Sequence, residues 1–151
     1  MIAPRGMHHL AILVQDLPRA ERFYCGTLGL TVVRRWPAPD GAGERSIWVD
    51  AGDGSFLALE RTAARHGRAG QPAQAEAAEA APGPGLHLIA LRISAAERVT
   101  WEDRLTQAGV AIDHRTAYTL YVRDPEGNRV GLSHYPARAV GLAGDSPPEL
   151  S

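Results

Sequence analysis

Apolar residues in this chain fall into short runs punctuated by glycine, proline and charge, and the runs come in two similar sets. His9–Val14 reads His-Leu-Ala-Ile-Leu-Val, and Leu88–Ile93 reads Leu-Ile-Ala-Leu-Arg-Ile. Each is mostly apolar with β-branched members and predicts a strand. A helix signal follows each one. Asp16 is a good N-cap and Pro18 suits a first turn. Ala20, Phe23, Thr27 and Leu28 then fall near one helical face. In the second set Ser94-Ala95-Ala96-Glu97 is a capping box, with Trp101, Leu105 and Ala108 following at helical spacing. Both helices stop at a glycine followed by an apolar residue, Gly29-Leu30 and Gly109-Val110. Each half then carries three strand-like runs, at about residues 30–36, 45–50 and 55–61 and about 110–113, 119–123 and 128–134. Between the last two, Asp124-Pro125-Glu126-Gly127 has the residue types of a type I turn.

The order βαβββ therefore occurs twice. It predicts an α+β architecture of two modules whose curled, four-stranded mixed sheets carry helices on one side and a cavity on the other. The expected organisation is one domain, with modules at 7–62 and 86–135, an Ala-, Pro- and Gly-rich linker at 63–85 and a loosely held tail at 136–151.

Strand alternation assigns the faces. His87, Ile89, Leu91 and Ile93 form the more apolar side of the fifth strand and predict the core face. Leu88, Ala90 and Arg92 then look into the cavity and, by the repeat, so do His9, Ala11 and Leu13. In the fourth strand Leu57 and Leu59 go to the core, and Phe56, Ala58 and Glu60 to the cavity. Val130 and Leu132 go to the core in the last strand, and Arg129, Gly131 and Ser133 to the cavity. Trp48, Thr119 and Tyr121 complete the lining. Trp48, Phe56 and Tyr121 suit stacking on a planar ligand, although aromatic filling of a cavity is also common.

Composition narrows the function classes. At 151 residues the chain is long enough for a real core, and a 44% hydrophobic, 22% charged composition is ordinary for a globular protein. A net charge of -1 gives no reason to expect nucleic acid or an anionic membrane as partner. The lone Cys25 cannot form an internal disulfide, and residues 1–6 carry no apolar signal segment, so a cytoplasmic location is expected. Cys25, on the first helix, reads as inert packing. No Ser/His/Asp or Cys/His nucleophile pattern, phosphate-binding glycine loop or zinc spacing is present.

Taken together, His8 to Leu17 (HHLAILVQDL), Phe23-Tyr24 and Leu28-Gly29-Leu30 resemble the opening module of the vicinal-oxygen-chelate superfamily, the glyoxalase, bleomycin-resistance and extradiol-dioxygenase group. Tyr121 to Val130 (YVRDPEGNRV) is similar to its closing hairpin, and the resemblance covers about residues 7–135. It implies paired βαβββ modules. It also implies a divalent metal held by first- and last-strand side chains of two modules, and ligands whose adjacent oxygens chelate it. The group's activities range from isomerisation of thiol adducts through ring cleavage and epoxide opening to metal-free drug sequestration.

By that resemblance His9 matches the first-strand ligand and Glu60 the fourth-strand ligand. Leu88 and Gly131 stand where the second module usually carries His and Glu. The expected site is thus half of one for zinc, nickel, manganese or iron. His9 is equally well read as a polar pocket residue, and Glu60 as a general base or a strand-end carboxylate. His8 and His87 are expected to cap the core face. His134 shares that face by parity and reaches the site only if the last strand bulges.

Two functions follow. One is a metal-assisted lyase or dioxygenase acting on a small molecule with chelating oxygens, with Glu60 as ligand or base. The other is a metal-free protein that sequesters an apolar or aromatic small molecule, which Leu88 and Gly131 favour. The resemblance implies a homodimer under both.

Overall fold

The structure, a computed structural model, describes residues 6–63 and 86–135. The linker and tail expected from composition lie outside the described residues. The elements run β1 (His9–Val14), α1 (Leu17–Glu21) continuing into a π-helical turn (Arg22–Thr27), β2 (Thr31–Pro37), β3 (Glu44–Asp50) and β4 (Phe56–Arg61). They repeat as β5 (Ile89–Arg92), a 3₁₀ turn (Ala95–Glu97), α2 (Arg98–Gln107), β6 (Ile112–Arg115), β7 (Thr119–Arg123) and β8 (Arg129–Ser133). Two open, four-stranded sheets result, ordered β1-β4-β3-β2 and β5-β8-β7-β6. In each the first strand runs parallel to the last and the other pairs are antiparallel. The expected α+β fold of two βαβββ modules is what forms.

Local signals place the elements. Asp16 Oδ1 accepts from the Arg19 backbone N–H at 2.9 Å, capping α1. Ser94 and Glu97 make the reciprocal capping box that starts the second helix. Gly29 and Gly109, at φ of +78° and +68°, take the left-handed turn that ends each helical segment. One local expectation changes. The first helix widens after Glu21, and Leu28 donates to Phe23 O, five residues back, at 2.9 Å. This widening buries Tyr24, which an α-helical wheel leaves off the packed face, while Thr27 is only half-buried.

One apolar cluster joins both modules. Ile12, Val14, Phe23, Ile47, Val49, Leu57 and Leu59 from the first meet Ile93, Leu105, Leu120, Val122, Val130 and Leu132 from the second. These are the core-face residues that alternation selects. Full burial of each large side chain contributes roughly 1.5–3 kcal/mol. A buried polar link reinforces the join: Tyr24 Oη donates to Asp124 Oδ2 at 2.8 Å. Asp124 also accepts from the backbone N–H of Glu126 and Asn128 and from Asn128 Nδ2, which fixes the β7–β8 turn. Arg104 Nη2 reaches Gly26 O at 3.2 Å, and Glu126 Oε1 accepts from Gln15 N at 2.8 Å. The sheet faces opposite the helices carry Leu13 exposed at 61%. No helix among the described residues is long and apolar enough to cross a membrane.

Candidate functional site

The strand ladders relate the two modules position by position. His9 pairs with Phe56, Ala11 with Ala58 and Leu13 with Glu60. Ala90 pairs with Gly131 and Arg92 with Ser133. Trp48 lies opposite Ala58 as Tyr121 lies opposite Gly131. Gly131 is therefore mirrored by Ala58, and Glu60 by Ser133. This corrects the sequence-based match of Glu60 to Gly131, which is two residues out of register. Alternation is blind to such a slip, because a two-residue shift keeps every side chain on its own face.

The correction separates His9 from Glu60. Glu60 lies four residues beyond the partner of His9 on the parallel strand, about 13 Å at roughly 3.3 Å per residue. Both side chains would have to extend fully toward each other to share one ion. The first- and last-strand positions of the two modules thus hold His9, Ala58, Leu88 and Gly131, a set with one ligating side chain. Among the described residues no group of three or more His, Cys, Asp or Glu is disposed to hold a metal ion. A divalent ion in a protein site takes several such donors, and this donor set does not fit one.

What occupies the first sheet's inner face is aromatic. The His9 ring stacks on Trp48, with centroids 4.9 Å apart and planes at 26°. Trp48 and Phe56 sit 6.0 Å apart. His8 joins them edge-on to Phe56 at 5.9 Å, and its Nδ1 lies 2.8 Å from that of His9. His8 therefore does not cap the core as expected; it is exposed with the aromatic nest. His87 departs likewise, exposed with its Nε2 3.1 Å from Arg129 Nη1.

The second sheet's inner face is more polar. The Arg129 guanidinium lies 4.3 Å over the Tyr121 ring, and His114 stacks on Tyr121 at 5.7 Å and 30°. Leu88 is half-buried. Ser133 Oγ accepts from Thr119 Oγ1 at 2.9 Å. Gly131 is buried at the centre, where an added Cβ would stand 3.2 Å from Thr119 Cγ2. A glycine is needed there unless Thr119 gives way.

His134 follows its parity. β8 pairs regularly through Ser133, and the His134 ring turns to the helix side, 3.4 Å from Arg98 Nη1. It adds nothing to the inner faces. Cys25 is half-buried, and burial together with the Glu21 carboxylate pushes its thiol above the ordinary range. It is a poor thiolate nucleophile at neutral pH.

Strand alternation missed several inner-face residues for one reason. β2 bulges between Val32 and Arg34, and β6 bulges between Ile112 and His114. The extra residue flips everything beyond it. Val32 stays on the core side opposite Val49, yet Arg34 lies opposite Trp48 and Trp36 opposite Ser46. The same irregularity in the repeat brings His114 to Tyr121. A cavity of about 250 Å³ opens at this end of the first sheet, lined by Trp36, Arg45, Ser46, Trp48, Glu60 and Arg61. Alternation assigns Trp48 and Glu60 to this face, and Ser46 shares the parity of Trp48 on β3.

Two open βαβββ modules, joined through their helix sides and with ring-bearing inner faces, define a protein of the paired-module class. Residues 6–132 match the Glyoxalase/Bleomycin resistance protein/Dioxygenase superfamily, and the chain belongs to that superfamily. No curated protein matches the chain. Solved structures share the fold at low identity. A fosfomycin resistance protein, FosX, from Listeria monocytogenes (an E126Q mutant complexed with Mn(II) and a dihydroxypropylphosphonic acid) has a TM-score of 0.67 at 14% identity, covering 89% of this chain and 95% of its own. A trypanothione-dependent glyoxalase I from Leishmania major scores 0.62 at 22% identity, covering 87% of each chain. TnmS3, an antibiotic binding protein from Streptomyces sp. CB03234, scores 0.60 at 23% identity, covering 89% of this chain and 98% of its own.

Proposed function

We propose that this chain is a metal-independent binding protein that sequesters a planar small molecule between its two kinds of inner face. The observation that carries this reading is the quartet His9, Ala58, Leu88 and Gly131. It leaves one ligating side chain where the resemblance implies four, on faces lined by the rings of Trp48, Phe56 and Tyr121. Flat rings offer large contact area at small entropic cost, and a quartet with one ligating side chain removes the competing claim of an ion on that space. Phe56, Leu88, Arg129 and Ser133 complete the contact surface. That one fold neighbour is an antibiotic binding protein supports the reading.

The pocket is completed by a second copy of the chain. The modules of one chain meet through their helix sides and the Tyr24–Asp124 link. A partner's second module is then free to cover the aromatic face of the first, setting Tyr121 and Arg129 across from Trp48 and Phe56. A homodimer is the expected mass in sedimentation; a monomer that binds ligand with full affinity would reject the shared pocket.

The test is a screen of flat aromatic compounds by calorimetry in the presence of a chelator. Binding should survive the chelator, and the ligand should be recovered unchanged by mass spectrometry. Trp48→Ala should weaken binding by about 1–3 kcal/mol, as loss of a stacking platform does. Conversion of the compound, with activity restored by a divalent ion, would instead establish the lyase or dioxygenase reading, in which Glu60 is ligand or base. An unchanged affinity in Trp48→Ala would remove Trp48 from the pocket.

A further inference from the structure

The cavity beside Trp48 has a chemical character of its own, and its residues reach it by two backbone irregularities. The bulge at Val33 turns Arg34 and Trp36 to the inner face. A second shift, between Trp36 and Pro37, leaves Arg45 without a paired residue and swings it off the alternation of β3. The guanidinium carbons of Arg34 and Arg45 then lie 3.9 Å and 5.8 Å from the centre of the Trp36 ring. Among the described residues neither arginine has an ion pair. Their neighbour Arg35 shows what a structural arginine looks like here, since it is bound on the helix side by both Glu21 and Glu44.

A second observation points to a ligand independently of the charges. Ser46 is 4% exposed and lines this cavity, yet its Oγ has no hydrogen-bond partner. A buried hydroxyl is ordinarily matched, and this one belongs to the cavity lining with its donor unmatched. Arg61 also lines the cavity, with Nη1 donating to Ala42 O at 3.1 Å. Glu60 is the carboxylate of the lining, so three arginines with Arg34 stand against one acid. The guanidinium fork matches the oxygens of an acid group, and the indoles of Trp36 and Trp48 match a flat ring. At about 250 Å³ the cavity falls below the roughly 300–1,000 Å³ of drug-sized sites, so it takes one ring system with its acid group.

We infer that this end of the first sheet is an acid-recognising subsite. The ligand is a flat ring compound bearing a carboxylate, phosphonate or sulfonate. Its ring lies against Trp48 and its acid oxygens accept hydrogen bonds from Arg45 and Ser46 Oγ, with Arg34 raising the local positive potential. The inference rests on the small-molecule reading above and narrows it from planar compounds in general to planar acids.

The matched pair 2-naphthoate and 2-naphthamide, which share a ring system and differ in charge, tests it on the full-length chain by tryptophan fluorescence. The carboxylate should bind at least about tenfold more tightly at low salt, and the preference should shrink as salt screens the arginines. Arg45→Gln should remove most of the preference, weakening 2-naphthoate far more than 2-naphthamide, and Arg34→Gln/Arg45→Gln should abolish it. Ser46→Ala should weaken the carboxylate about threefold and the amide less, because a charged acceptor makes the stronger hydrogen bond. Thermal melts of each variant confirm folding, and the two exposed arginine positions keep the test open if Ser46→Ala perturbs the strand. Equal binding of both compounds, weakened alike by Trp48→Ala, overturns the acid subsite and leaves the stacking pocket standing. A preference that survives loss of both arginines also overturns it. No binding of either compound in the millimolar range overturns the acid subsite, while the binding reading is decided by the wider screen of flat aromatic compounds.

Discussion

Replacing Asp124 by alanine is expected to lower the stability of the fold by about 3–4 kcal/mol, the largest loss from any single substitution argued here. The carboxylate is 4% exposed and accepts from Tyr24 Oη, Glu126 N, Asn128 N and Asn128 Nδ2. Removing it strands those donors in a buried corner, where each unmatched group costs about 1–3 kcal/mol before relaxation and water entry recover part of it. Tyr24→Phe removes one of these bonds and should cost about 1–2 kcal/mol. For a domain near this size each kcal/mol lowers Tm by about 2–4 °C, so chemical and thermal denaturation resolve both variants. The pair should be non-additive, because the two side chains share a bond. An Asp124→Ala loss below about 1 kcal/mol would show that the link between modules is not what holds the β7–β8 turn.

The same pair makes a prediction about alkaline pH. Burial first, then the charge of Asp124 and the hydrogen bond to it, push the Tyr24 hydroxyl far above its ordinary value of 10.0. A group whose folded pKa is raised contributes its stability fully below the unfolded pKa and loses it as pH climbs above that value toward the folded one. Wild type should therefore lose stability progressively above about pH 10, and Tyr24→Phe should flatten that part of the profile. Parallel profiles for the two proteins above pH 10 would contradict the assignment.

A metal site should be restorable only in the register the ladders give. Wild type is expected to bind zinc, nickel, manganese and ferrous ions weakly and substoichiometrically. Ala58→Glu/Leu88→His/Gly131→Glu, together with native His9, supplies four donors and should raise affinity by at least about 10³-fold, or roughly 4 kcal/mol. In that background Glu60→Gln should change nothing, since Glu60 stands a further two residues along the strand. The change at residue 131 should cost about 1–3 kcal/mol of stability, because its Cβ crowds the Thr119 methyl at 3.2 Å. Titration calorimetry reads the binding outcomes, and chemical denaturation reads the stability cost. Stoichiometric binding by wild type, or loss of binding in the triple variant on Glu60→Gln, would return Glu60 to the coordination sphere.

These expectations separate what the sequence determined from what tertiary structure decided. Local chemistry and hydrophobic period determined the modules. Asp16, Ser94 and Glu97 cap the helices, Gly29 and Gly109 stop them, Asp124 to Gly127 turn the last hairpin, and alternation picks Leu57, Leu59, Leu120, Val122, Val130 and Leu132 for the core. Each of these is a short-range property, fixed by a few neighbouring residues and by the requirement that apolar faces be buried. Register was not legible, because a slip of two residues leaves every face unchanged; only the pairing of Ala11 with Ala58 and of Ala90 with Gly131 shows that Ala58, and not Glu60, mirrors Gly131. The bulges were not legible either. A single extra residue at Val33 costs the sequence no visible signal, yet it carries Arg34 and Trp36 from the helix side to the inner face, and with them the charge of the cavity. Alternation along one strand reports where side chains point relative to their neighbours in sequence. Which residues stand across from one another, and therefore which chemistry converges, is set by the partner strand.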